Sequence, residues 1–308
     1  MTAVVNIGLR FALYATLLPL FGLAVYGLYG PILSGGGAKP VVPLRRLLIV
    51  GALLGLLLSL LGTVVMTAAM MGVGIANVAV EDVSVMLTAM AAGTALLFRA
   101  LALALVLVTA FLLPRWPTTM RIASAVSAGL ALGTLTWAGH GGMGAGRLGL
   151  IHAGSDVVHL FAGGAWLGGL LALAILLFSP RPSASHLAST HLALTRFATV
   201  GTVAVLLLVL TGLINGGLLI GIDRLPMLWT SLYGQLLLIK LALFVVMLAL
   251  AASNRFRLTP ALGRISASAD PSRQVGDLRI SLAVESAAAI AILALVAWLG
   301  TLSPPVSA

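Results

Sequence analysis

Cysteine is absent from the 308 residues of this chain. Its absence excludes disulfides, thiolate-held metals and iron–sulfur clusters. Any soft metal must then be met by methionine and histidine. Charge is the second shortage: Asp, Glu, Lys and Arg together make up 8% of the sequence, against about 25% in a soluble domain. Acidic residues number 7 and the net charge is +10. A nucleic-acid binder would gather such an excess into one patch. Here the basic residues are scattered between apolar runs, so nucleic acid is not expected as a partner. A Walker A pattern, G-x-x-x-x-G-K-[ST], is also missing, which excludes direct drive by ATP through a P-loop. The chain reads as a non-enzyme.

What the chain has in abundance is apolar length, with 61% hydrophobic residues. Runs of roughly 20 apolar residues recur, and each can cross a hydrocarbon core about 30 Å thick. Eight spans are expected, near Ile7–Tyr29, Leu44–Met66, Val85–Leu113, Thr119–Trp137, Ile151–Phe178, Phe197–Ile220, Leu232–Ser253 and Ile280–Leu302. The first run contains Pro19 and is too long for a cleaved signal peptide, so it reads as a span. Glycine and proline punctuate the intervals: Gly35 to Gly37, Pro114 with Pro117, Gly141 with Gly142, Pro180 with Pro182, and Pro260 with Pro271. The expected fold is therefore an all-α polytopic membrane protein, a bundle of about eight transmembrane helices in a lipid bilayer.

Basic residues set its orientation. One set of loops carries Lys39, Arg45, Arg46, Arg115, Arg121, Arg181, Arg196, Arg255, Arg257, Arg264, Arg273 and Arg279; the other carries Arg10, Arg147 and Arg224. The positive-inside rule then puts both termini on the outer side, periplasmic in a cell with two membranes. Met66, Met70, Met71, Glu81, Asp82, His140, Met143 and His152 all fall at that outer face. They come from distant parts of the chain, yet topology brings them to one side.

The candidate site centres on His152, Asp156 and His159. Their spacing of i, i+4 and i+7 puts all three on one helix face. Ionisable groups inside a membrane are costly and mark function by default. Neutral imidazole takes Cu(I), Cu(II) or Zn(II), and a carboxylate can ligate or orient a ring. The alternative is a structural Asp–His pair locking two helices. Met66, Met70 and Met71 follow helical spacing, and thioethers select Cu(I) over hard cations. Their alternative is ordinary packing, since methionine fills gaps. His140 and Met143, in Gly139-His-Gly-Gly-Met143, sit in a turn able to fold over a site; their alternative is simple solvation. Arg99, Lys240 and Glu285 fall inside spans, either paired with partners on other helices or lining a polar path. His186 and His191 read as solvated.

These residues also resemble a known family, the CopD/PcoD copper-resistance membrane proteins. The resemblance rests on Gly139-His140, His152-x-x-x-Asp156-x-x-His159 and Trp166-Leu-Gly-Gly169. It continues through Arg196-Phe197, Thr211-Gly212, Tyr233-Gly234 with Lys240, Asn254-Arg255 and Glu285. It covers about the C-terminal half, from span four or five onward, and matches the stand-alone form without a fused copper-binding β-domain. It implies a bacterial inner-membrane protein of copper homeostasis that moves copper ions from periplasm to cytoplasm, with a soluble CopC-type periplasmic copper carrier as partner. Residues 1–138 are then expected to form an N-terminal four-helix region bearing the Met cluster, and residues 139–308 a CopD-like four-helix domain bearing the His-Asp-His face. Two other classes stay open. One is a b-type haem electron carrier with His140 facing His152 or His159. The other is a receptor that docks a copper carrier without transport.

Overall fold

The computed structural model describes residues 2–31, 42–138, 146–179, 184–221, 224–264 and 272–303. Among them the regular structure is entirely helical: α1 (Thr2–Tyr29), α2 (Leu44–Met71), α3 (Val80–Ala89), α4 (Ala91–Leu112), α5 (Pro117–Gly133), α6 (Gly146–Leu177), α7 (Ala184–Ile220), α8 (Met227–Thr230), α9 (Leu232–Ser253), α10 (Thr259–Gly263) and α11 (Ser272–Leu299). Short 3-10 turns cover Ile75–Asn77 and Thr134–Ala138, and a π-helical turn, Asn254–Leu258, joins α9 to α10. Among the described residues, 7 helical stretches are long and apolar enough to cross a bilayer. Helical structure suits lipid because it satisfies each backbone group within one segment. The apolar residues that face outward, such as Leu53, Leu57 and Leu60 of α2 and Leu206, Leu210 and Leu213 of α7, suit a lipid surface.

α7 begins at Ala184 rather than Phe197 and α11 at Ser272 rather than Ile280, and the third and fourth expected spans differ further. The third was expected from Val85, but the chain makes the separate α3 first, and the apolar stretch begins at Ala92. The break has a local cause. Met90 takes an extended conformation, with φ −118° and ψ 145°. α3 then doubles back on α4 so closely that a Cβ on Gly93 would overlap the Met86 carbonyl oxygen. α3 carries Glu81 and Asp82 in its first turn, where the helix dipole favours acids. The expected fourth span is α5, 17 residues long, continued by the 3-10 turn to Ala138.

α1 is the hub, touching α2, α5, α6 and α11. Leu17, Leu48, Leu103, Val106 and Leu132 of α1, α2, α4 and α5 form one core. Trp166, Leu173, Leu194, Leu278 and Leu282 of α6, α7 and α11 belong to a second. α1 joins the two by backbone contact with α6. A Cβ on Gly22 would overlap the Gly164 carbonyl oxygen, and one on Gly168 would overlap the Gly22 backbone. Gly169 likewise admits the Phe197 ring of α7. Small residues let membrane helices approach this closely. The glycine pair after Trp166 thus serves packing.

Hydrogen bonds tie one end of the bundle together. Arg196 donates to the Tyr29 carbonyl at the end of α1 (2.9 Å), and Arg279 to the Leu177 carbonyl at the end of α6 (2.7 Å). Cations suit helix C-termini, where carbonyls lack partners. His186 joins them, with a ring nitrogen 2.8 Å from the Leu176 carbonyl, and His191 packs on Gly263. Both were expected to be solvated; both are instead half-buried at helix junctions. At the opposite end Arg10 of α1 packs on Gly300, just past α11.

Candidate functional site

α6 carries His152, Asp156 and His159 toward α7 and α9, in the half of the bundle away from Arg196. The i, i+4, i+7 spacing does produce one face. Each member meets a different partner. His152 is buried, and its Nε2 lies 3.8 Å from Asp156 Oδ2 but makes no hydrogen bond. Asp156 Oδ1 accepts from Asn215 Nδ2 of α7 at 2.6 Å. His159 Nδ1 lies 2.8 Å from Thr211 Oγ1. Ser155, one residue before Asp156, donates to the Thr211 carbonyl at 3.3 Å. Lys240 of α9 interacts electrostatically with both Asp156 and His159, and Tyr233 with Asp156.

The Thr211 bond fixes the His159 tautomer. Thr211 has one hydroxyl proton, and it goes to the Leu207 carbonyl at 2.5 Å. Toward His159 the hydroxyl oxygen must therefore accept, so Nδ1 carries the proton. The Nε2 lone pair of a neutral ring is then left for another partner. Metal-binding histidines are commonly oriented this way, by a hydrogen bond from the other nitrogen. Asn215 adds an acceptor: its Nδ2 is used by Asp156, and its buried Oδ1 has no hydrogen-bond partner. His152 Nε2 and Asn215 Oδ1 are thus unsatisfied atoms close to one carboxylate. Buried polar atoms without partners call for an explanation, and a bound ion is one. Among the described residues, however, no three His, Asp or Glu side chains stand close enough together to hold a metal by themselves. Any ion here would need oxygen donors such as Asn215 or Thr211 as well.

Of the α7 and α9 partners, Thr211 and Lys240 stand in the motifs that carry the family resemblance, and Asn215 does not. Thr211 and Asn215 stand four residues apart in an apolar run, so their shared face was a readable signal. His140 and Met143 lie outside the described residues. Met66, Met70 and Met71 do end α2, but only Met70 and Met71 face a cleft, which they share with Met86 and Met90. Met66 stays outside it.

The other intramembrane charges find partners of kinds the sequence did not single out. Arg99 donates to the Thr134 hydroxyl (2.7 Å) and carbonyl (3.3 Å), at the C-terminal end of α5. Glu285 lies near the middle of α11, which begins at Ser272, ahead of the expected start at Ile280. It is 1% exposed. Trp166 Nε1 of α6 donates to its Oε1 at 2.8 Å, and Asn254 Nδ2 to its Oε2 at 3.1 Å. Asn254 opens the π-helical turn, and such turns often mark functional positions. Trp166 therefore belongs to this second polar cluster, not to the histidine face.

Comparison with known proteins places the chain. Residues 191–299 match the family model described as copper resistance protein D, and residues 1–150 match the copper resistance protein D-like N-terminal domain. The first match starts inside α7, later than the resemblance implied. Lys240, Asn254 and Glu285 fall within it, Met66, Met70 and Met71 within the second, and His152, Asp156 and His159 between the two. Copper resistance protein D of Pseudomonas syringae pv. tomato is 39% identical over 307 residues, 98% of each chain. Inner membrane protein YebZ of Escherichia coli (strain K12) is 27% identical over 99% of this chain and 100% of its own. No solved structure matches. With both family models matched and one relative similar along its whole length, the chain belongs to the copper resistance protein D family of membrane proteins.

Proposed function

We propose that this protein is a copper permease of the inner membrane that takes copper ions from the periplasm toward the cytoplasm. The observation that carries this reading is His152 Nε2, buried without a hydrogen bond beside Asp156, on the same α6 face as His159, whose Nδ1 is held by Thr211. Asp156 balances charge and orients, and Asn215 Oδ1 is a ready oxygen donor. The protein is read as a transporter and not an enzyme. Copper is its cargo.

The topology is part of the proposal. α5 with its 3-10 turn spans roughly 35 Å at about 1.5 and 2.0 Å per residue, enough for an eighth crossing. Eight crossings return both termini to one side, in keeping with the contact between Arg10 and Gly300. The positive-inside rule makes that side periplasmic. Residues 1–138 and 139–308 then act as a Met-bearing region and a His-bearing region, packed against each other through α1 and α6. A soluble CopC-type carrier would deliver copper to the periplasmic end. A membrane potential negative inside favours cation entry by about 2.3 kcal/mol per charge per 100 mV, which supplies a driving force without ATP.

The test is copper accumulation in cells that express the protein. His152→Ala with His159→Ala is expected to bring accumulation to the level of cells lacking the protein. Unchanged accumulation would remove both histidines from the path. Liposomes holding an internal copper-sensitive dye then separate transport from reception, since a docking receptor binds copper yet admits none.

Acidity gives an independent check. Imidazole must be neutral to ligate, so protons compete with the metal. Copper affinity of the purified protein is expected to fall on acidification, and the double histidine variant should lose this dependence. A flat wild-type profile would shift copper binding to thioethers, which do not protonate.

A further inference from the structure

The cleft between the end of α2 and α3 brings together four of the chain's methionines. Met70 and Met71 come from the last turn of α2, Met86 from α3, and Met90 from the extended residue between α3 and α4. With Thr67, Val85 and Asp82 they line a space of about 110 Å³. Met70 and Met71 are 50% and 55% exposed, while Met86 is buried at 4%. The donor set thus runs from open surface into the protein. Asp82 is fixed in place, since its Oδ2 accepts from the Ala79 backbone N–H at 3.1 Å.

We propose that this cleft is a binding site for a thiophilic monovalent metal ion, with Met70, Met71, Met86 and Met90 as sulfur donors and Asp82 as the counter-charge. The proposal rests on the reading that the protein handles copper, and it names the oxidation state the cleft accepts, Cu(I). Thioethers are neutral, so four can gather without repulsion, and their softness favours Cu(I) over the hard cations. One carboxylate matches one positive charge. The close α3–α4 corner at Gly93 holds Met86 and Met90 over the end of α2. The neighbouring Met66, although four residues before Met70, does not line the cleft.

The test uses Ag(I), a redox-inert ion of the same charge and softness, with the full-length protein in detergent. His152→Ala/His159→Ala serves as the parent, so that the α6 histidines do not contribute. Ag(I) should bind one equivalent per chain, and excess Zn(II) should not displace it. Adding Met86→Leu and Met90→Leu is expected to weaken binding at least tenfold, whereas Met66→Leu leaves it unchanged. Leucine is close to methionine in volume, so the fold should hold. A second readout needs no substitution in the cleft: in the ¹³C-methyl spectrum of methionine-labelled parent protein, Met70, Met71, Met86 and Met90 should shift together on adding Ag(I). Binding that ignores Met86→Leu and Met90→Leu, or a spectrum in which those methyls stay in place, overturns the proposal. If Ag(I) binds as expected but cells gain no copper, the cleft stands and the permease reading falls. If cells gain copper through the histidines while the methionine variants bind Ag(I) normally, only the cleft falls.

Discussion

Gly168→Val is expected to remove most folded protein from the membrane. A Cβ at this position meets the Gly22 backbone of α1, not a side chain that can turn aside. Overpacking a core with movable neighbours costs about 1–3 kcal/mol. Backbone cannot make room that way, so α1 and α6 must separate. α1 also packs on α2, α5 and α11, so the damage spreads through the bundle. Gly163→Ala is the control, because its Cβ would find its nearest neighbour, in Leu18, at 3.9 Å. Size-exclusion chromatography of detergent extracts should show a loss of at least tenfold in the folded peak for Gly168→Val and a near-normal peak for Gly163→Ala. Equal peaks would mean that the two helices do not meet through their glycines.

The second large effect concerns Asp156 and Lys240. Asp156→Leu takes the carboxylate from Lys240 and leaves the Asn215 amide without its acceptor. Leaving a buried donor without its acceptor costs about 1–3 kcal/mol, and Lys240 keeps its charge with less compensation once the half-buried Asp156 carboxylate is gone. Lys240→Met should destabilise as well. The double variant should recover most of the loss, because neither charge remains, but copper accumulation should stay low without Asp156 beside His152. Thermal unfolding of the four proteins in detergent completes the cycle. Simple additivity of the two single effects would show that the charges do not interact.

Much of this architecture was legible in the sequence because lipid imposes length. Apolar runs, turn residues and the near absence of charge mark most spans to within a few residues. Errors arose where helices continue beyond the hydrocarbon or break early. α11 starts at Ser272, which moves Glu285 from an apparent end to mid-helix. α3 separates from α4 because Met90 is extended and Gly93 allows a sharp return, and apolar content does not record that corner. The site divides in the same way. The shared face of His152, Asp156 and His159 follows from periodicity. Thr211, Asn215 and Lys240 depend on which helices meet, and spacing along one helix is silent about that. The methionines make the point again. Met66, Met70 and Met71 cluster in sequence, yet the cleft drops Met66 and recruits Met86 and Met90.

The central position of α1 also governs how the protein is made. Its glycine contact, Gly22 on Gly164 and Gly168, joins residues separated by roughly 140 positions of nascent chain. At about 5–20 residues per second the ribosome needs roughly 7–28 s to cover that distance. α2 follows within a few seconds and covers one side of α1. The glycine side waits, facing lipid or the insertion machinery, until α6 emerges. α11, synthesised later than α6, then closes on α1. Assembly therefore completes around a helix made well before its partners, and a chain cut short before α6 leaves α1 open along its narrowest contact.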